Sequence, residues 1–336
     1  MSQPYLPQAF STPAINPAVG GYGLLLPYIS TSMYIYAPTA MSTSSLVPGG
    51  NAAQQTQALA DTIRRASRWA DRYLFGTDPA GKGASLAATL TVQSSYTQII
   101  NNELRLYCDY RPIMELVGLE IGYDPSSTSP YLSSASASIR FGSQVIYVPM
   151  AYGVFNATVY PTVVPMGSLQ NGRRMYSVWS YVNGYPHTSL AANATAGSTT
   201  LTLTSTGGTN GGLLGVYPNT TFEILDGANT ESVTVASVTN GIGTSTVTLT
   251  SPLLYSHTVP TAPDFIPVTA IPDDVTQAII FLTTALIKTR GDFSLTLDEM
   301  TAPTKRNASV GDIESDVAYA LEFLEPYRVR TKGGFF

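Results

Sequence analysis

The apolar positions of this chain move from a helical period to an alternating one and back. In NAAQQTQALADTIRRASRWADRYLF, Leu59, Ile63, Ala66, Ala70 and Tyr73 recur at i, i+4, i+7, i+11 and i+14, the spacing of one helical face. The pattern predicts a long helix from Asn51, ended by the Gly and Pro of GTDPAGKG. Residues 86–185 then read as strands. ELRLYCDY sets Leu104, Leu106 and Cys108 against Arg105, Tyr107 and Asp109, and MELVGLEIGYD, QVIYVP and MYSVWSYV continue in extended form to the Asn183-Gly184 turn.

Residues 188–267 carry their own pattern. TLTLT (200–204), FEILD (222–226), SVTVASV (232–238) and TVTLT (246–250) alternate between turns of the form GTNGG, DGAN and NGIG. GSTTLTLTS and GTSTVTLTS are nearly the same phrase and place Leu201/Leu203 and Val247/Leu249 on equivalent faces. Thr-rich strands with one apolar face fit a small sandwich or barrel. After IPDD the helical period returns, with Val275, Ile279, Leu282 and Leu286 as a stripe and Asp273 or Asp274 placed to cap it. A last helix carries Ile313, Val317, Ala320, Leu321 and Leu324 and stops at Pro326, and FSLTLDEMTAPTKRNA between the two helices reads as a loop or short hairpin.

The expected class is therefore α+β. A helical core made of the long N-terminal helix and two C-terminal helices has β-strands between, and a small all-β module is inserted. By residue, 1–50, rich in Pro, Gly, Ser and Tyr, form an extended arm with few internal contacts; 51–187 and 268–336 form the core; 188–267 form the module.

Composition narrows the chemistry. Charged residues are 12% of the chain, about half of the roughly 25% usual for soluble domains, so Ser, Thr, Asn, Gln and Tyr must cover much of the surface. A net charge of −5 argues against bulk affinity for nucleic acid. The single cysteine, Cys108, rules out an intramolecular disulfide and reads as a buried small hydrophobe. The first twenty residues lack the pattern of a signal peptide, and no apolar run is long enough to span a membrane, so a soluble chain made in the cytoplasm is expected.

The search for catalytic groups yields little. Gly76-Thr77-Asp78-Pro79-Ala80-Gly81-Lys82 follows the first positions of a phosphate-binding loop. Gly83 stands where a magnesium-holding Ser or Thr is needed, and the segment follows a helix instead of a strand. His187 and His257 flank the module and read as exposed or hinge residues, since a metal site wants three or more ligands. No catalytic, cofactor or metal site is assigned, and no enzyme activity is expected. Two cationic groups remain as candidate interfaces. One is Arg64, Arg65, Arg68 and Arg72 on the first helix; the other is Tyr327, Arg328, Arg330, Phe335 and Phe336 near the C-terminus.

Several segments together resemble a known family. PTAMSTSSLVPGGNAAQQTQALADTIRRASRWADRYLF, ATLTVQSSYTQIINNELRLYCDYRPIMELVGLEIGYDP, the Thr-rich phrases of 188–267 and IPDDVTQAIIFLTTALIKTRGD stand in the same order as in the head-to-tail adaptor proteins of tailed phages infecting actinobacteria. The likeness runs from about residue 35 to 330 and contains no chemical signature. It implies a virion neck protein without cofactors, forming a homo-oligomeric ring, typically a dodecamer, beneath the portal protein. Such a ring joins the head to the next neck or tail protein, a stopper or tail terminator, and keeps the DNA channel continuous without sequence-specific binding. The inserted module would then face outward, where it could touch capsid. The competing reading is a tail or surface adhesin whose Thr-rich domain binds glycan.

Overall fold

The structure, a computed structural model, describes residues 26–43, 46–76, 85–101, 103–131, 137–139, 144–149, 174–207, 212–288 and 313–328. Its architecture is mixed α+β, as expected, with helices at the C-terminal end. Tertiary contacts divide the chain into two units, one containing Ala88–Tyr185 and the other containing Gly21–Ala87 with Pro186–Phe336. No described helix is long and apolar enough to cross a membrane.

The first unit is an antiparallel sheet around β1 (Thr89–Ile100) and β7 (Arg174–Asn183), which pair over ten residues from Thr89↔Asn183 to Gln98↔Arg174. β3 (Ile113–Gly122) flanks β7 and carries the short β4 (Ser129–Pro130). On the other side β1 turns into β2 (Glu103–Tyr107) through Asn101 at φ 54°, a left-handed conformation that Asn tolerates in tight hairpins. β5 (Ser138–Ile139) and β6 (Val145–Pro149) complete the order β4-β3-β7-β1-β2-β6-β5. Alternation in ELRLYCDY sends Leu104, Leu106 and Cys108 into a core with Leu119, Ile146, Trp179 and Tyr181, as the period-two pattern requires.

The second unit holds the helices. α2 (Ala52–Phe75) starts with a reciprocal cap, in which Asn51 Oδ1 accepts from the Gln54 amide and Gln54 Oε1 from the Asn51 amide, both at 2.9 Å. It ends at Gly76, whose φ of 73° suits a residue without Cβ. α3 (Asp273–Lys288) packs against both α2 and α4 (Ile313–Leu324). That central place buries Ala278, Ile280, Thr283 and Ile287 in addition to the predicted stripe. Asp273 and Asp274 lie in the first turn of α3, where the helix dipole favours carboxylates, instead of at the cap position. Phe281 meets Tyr319 and Phe323 between α3 and α4, and Lys288 Nζ bonds Asp316 at 2.6 Å.

The arm expected over residues 1–50 is corrected where it is described. Residues Thr31–Tyr36 form a short helix, α1, and Tyr28, Ile29 and Tyr34 are almost wholly buried. Tyr34 bonds Thr284 of α3 at 3.1 Å. The segment is not periodic, but its aromatic and aliphatic side chains have apolar area to bury, and the helices supply the place. Residues 1–25 lie outside the described residues.

The same unit contains six short antiparallel strands. These are β8 (His187–Ser189), β9 (Thr200–Thr204), β10 (Thr221–Ile224), β11 (Glu231–Thr239), β12 (Thr244–Leu249) and β13 (Pro267–Thr269), in the order β8-β13-β10-β11-β12-β9. A bridge between Leu190 and Leu203, with the Ala191 amide donating to Thr202 at 2.9 Å, joins the first strand's end to the last strand and closes the sheet on itself. The two near-identical phrases are antiparallel neighbours, Leu201 opposite Val247. Leu201, Leu203, Phe222, Ile224, Val235, Val247 and Leu249 fill the interior. β8 and β13 pair residue for residue, from His187↔Thr269 to Ser189↔Pro267, so the chain enters and leaves the closed sheet on adjacent strands.

Candidate functional site

The helical period of α2 separates its four arginines. Arg64 bonds Asp61 at 2.9 Å with both side chains 42% exposed, a surface pair of the kind worth at most about 1 kcal/mol. Arg65, Arg68 and Arg72 follow i, i+3, i+7 spacing and are all exposed, so they share one stripe. Among the described residues none of these three has a carboxylate within ion-pair distance. Beside them on α2, Arg64 lines an open, mostly apolar cleft of about 200 Å³ with Pro27, Ile29, Ala60, Ile63 and Phe265.

The C-terminal candidates fall differently. The Arg328 guanidinium lies 5.0 Å from the centre of the Tyr73 ring and 3.6 Å from Glu325, and the Tyr73 hydroxyl donates to Glu325 at 2.8 Å. These contacts tie the end of α4 to the end of α2. Burial, then the Glu325 carboxylate, raises the Tyr73 hydroxyl above its ordinary pKa, with Arg328 opposing. Tyr327 donates to Asp274 at 3.4 Å. Tyr327 and Arg328 are thus engaged within their own chain, while Arg330, Phe335 and Phe336 lie outside the described residues. Of the phosphate-loop-like segment only Gly76 is described, as the α2 cap.

Both histidines are buried, which corrects the expectation of exposed or hinge residues. His257 has no exposed surface. Its Nδ1 lies 2.9 Å from Asp226 and its Nε2 2.9 Å from Glu231, and the Glu231 carboxylate also accepts from the Leu254 and Tyr255 amides. Burial raises the Glu231 pKa, but the Leu254 amide, His257 and the Tyr255 amide together outweigh it and hold the group below its usual range. The cluster pins the loop after β12 to the start of β11. The sequence carried one signal for it, two acids flanking a GAN turn in a segment otherwise poor in charge. Among the described residues no group of three or more His, Cys, Asp or Glu is arranged to hold a metal ion.

His187 bonds Pro27 O through Nε2 at 2.9 Å and Thr269 Oγ1 through Nδ1 at 3.0 Å. A carbonyl only accepts, so Nε2 carries the proton. Burial pushes the imidazole down to about 4, against the Pro27 and Leu26 carbonyls. Its ring meets Tyr28 edge-on at 5.6 Å. The Tyr28 hydroxyl in turn donates to Asp71 on α2 and lies 2.8 Å from Ser85 Oγ, while the Leu86 amide donates to Asp71 at 3.1 Å. Burial pushes Asp71 up to about 7, with its hydrogen bonds to Tyr28, Leu86 and Ser85 pulling the other way. Cys108 is buried, as its strand position predicted, and burial pushes its thiol up to about 12.

Comparison with protein-family models, with curated proteins and with solved structures gives no match. The site therefore has to be read from its own chemistry. It comprises one exposed cationic stripe and two buried polar clusters whose hydrogen bonds are made within the chain.

Proposed function

We propose that this chain is a structural virion protein, a ring-forming head-to-tail adaptor that docks beneath a portal and keeps the DNA channel continuous. Residues 188–267 are, in this reading, a β module grafted into a helical core. The ordered resemblance of its segments to that family motivates the proposal. One structural observation carries it, the exposed stripe of Arg65, Arg68 and Arg72 without intramolecular carboxylates among the described residues. Three planar guanidinium forks on one face suit carboxylates on an opposing protein surface, and the apolar cleft beside them supplies area to bury. The pairing of β8 with β13 supports the graft, because a loop accepts a domain when its two ends lie close together.

The test is sedimentation of the protein alone and mixed with the portal ring of the same virus, with imaging of any complex. A ring seated on the portal is expected. The combined Arg65→Glu, Arg68→Glu and Arg72→Glu variant should remain folded, since all three side chains are exposed, and should lose the complex. Full binding by that variant would remove α2 from the interface. No complex from the wild-type chain at several salt concentrations would overturn the adaptor reading, and glycan binding, the adhesin alternative, would be tested next.

A further inference from the structure

The chain passes out of the helix-containing unit between Ala87 and Ala88 and re-enters it between Tyr185 and Pro186. A buried polar contact lies next to each passage. Just before the exit, Ser85 Oγ lies 2.8 Å from the Tyr28 hydroxyl and the Leu86 amide donates to Asp71. Just after the return, His187 is held by Pro27 O and Thr269 Oγ1 and touches the Tyr28 ring. Tyr28 therefore belongs to both anchors, and its own amide is fixed by Ser67 Oγ of α2 at 3.2 Å.

Asp71 is the only described carboxylate in this cluster. The groups facing it are the Tyr28 hydroxyl from the segment before α1 and the Ser85 hydroxyl and Leu86 amide from the exit segment. All are neutral, and no cation among the described residues approaches it. A carboxylate in such a place is solvated by two or three hydrogen bonds without a countercharge, so burial favours its protonated form. The cost of ionising it is relieved when the exit segment lifts away and water reaches the carboxylate.

We propose that Asp71 is a proton-held latch on the exit segment Ser85–Ala87: protonated, it keeps that segment seated on α2, and loss of its proton to solvent releases it. The seating of residues 85–87 is then sensitive to pH below about 7, the value to which burial raises Asp71. It acts independently of the docking reading, since none of its residues is on the arginine stripe. His187 is a poor candidate for the same role, because its protonation is pushed down to about 4.

The test is amide hydrogen exchange at residues 85–88 of the full chain between pH 5.5 and 8.5, corrected for the intrinsic pH dependence of exchange. In the wild type the protection of Leu86 should fall as pH rises from 5.5 toward 7, by up to about tenfold per pH unit, the limit for release of one proton, and level off above about 7, where Asp71 is ionised whether the segment is seated or lifted. In Asp71→Asn the profile should be flat. A flat wild-type profile, or the same slope in Asp71→Asn, overturns the latch. Should Asp71→Asn fail to fold, Tyr28→Phe separates the outcomes. Losing the hydroxyl removes a bond that favours the carboxylate, so the pH at which protection stops falling should move higher. An unmoved levelling point would show that the opening is not governed by Asp71.

Discussion

At the scale of single residues, Asp71 and His187 oppose each other across the same pH range. Asp71 titrates higher in the folded chain than in the unfolded one, where it is ordinary, so its contribution falls as pH rises from about 4 to about 7. His187 titrates lower when folded, so its contribution is lost as pH falls through about 6.5 toward 4. The two slopes nearly cancel. Asp71→Asn alone should therefore leave a chain whose denaturation midpoint rises with pH between about 4 and 6.5, and His187→Gln one whose midpoint falls; urea titrations at several pH values would show it. Glu231 acts lower still. Its depressed pKa gives stability that is present above its ordinary range and lost as pH drops below it. Ala in place of His257 empties a buried ring site and leaves Glu231 without its ring partner, and should cost roughly 3 kcal/mol, the scale for losing a buried hydrogen-bonded side chain, measured by urea denaturation at pH 7. Neither histidine's burial was legible in the sequence. Both stand beside turn residues, and what buries them is contributed by Pro27, Thr269, Asp226 and Glu231 at separations no local pattern reports.

At the scale of elements, the legible parts are those whose period and burial agree. α2 was readable because one apolar stripe faces α3 while the arginines stay out. β2, β9 and β12 were readable because alternate residues enter one core. α3 was readable as a helix, but its placement between two others, which buries it nearly all round, was not. The contacts of Tyr28 and Tyr34 were hidden because the segment 26–36 has no period at all, and tertiary packing alone decides its place. β8 and β13 were hidden for a related reason: three-residue strands carry no pattern, and their partners lie some eighty residues apart. Helix ends give a sharper test. Asn51→Ala removes the side-chain acceptor of the α2 cap, leaving the Gln54 amide without its partner, and should cost about 1 kcal/mol. Gly76→Ala forces a Cβ into a left-handed turn and should cost about the same. Thermal melts of the two variants and of the double variant would show nearly additive losses, since the sites are at opposite ends of the helix.

At the scale of the whole molecule, the adaptor reading makes the closed sheet separable from docking. Replacing residues 191–262 by a short turn keeps β8 and β13, with His187 and Thr269, and the cleft residues Pro263 and Phe265 in place. The shortened chain is expected to fold and to bind the portal ring as the full chain does, with sedimentation as the measurement; loss of binding would show that the β module is itself part of the interface.

The bridge from Leu190 to Leu203 has a consequence for crowding. The phrases at 197–205 and 243–251 are almost interchangeable, and each could in principle pair with the other phrase of a neighbouring chain. An open edge at β9 would invite that exchange, producing swapped dimers or growing fibres when many copies gather in a small volume. Sealing the sheet turns the most self-similar stretch of the sequence inward on itself.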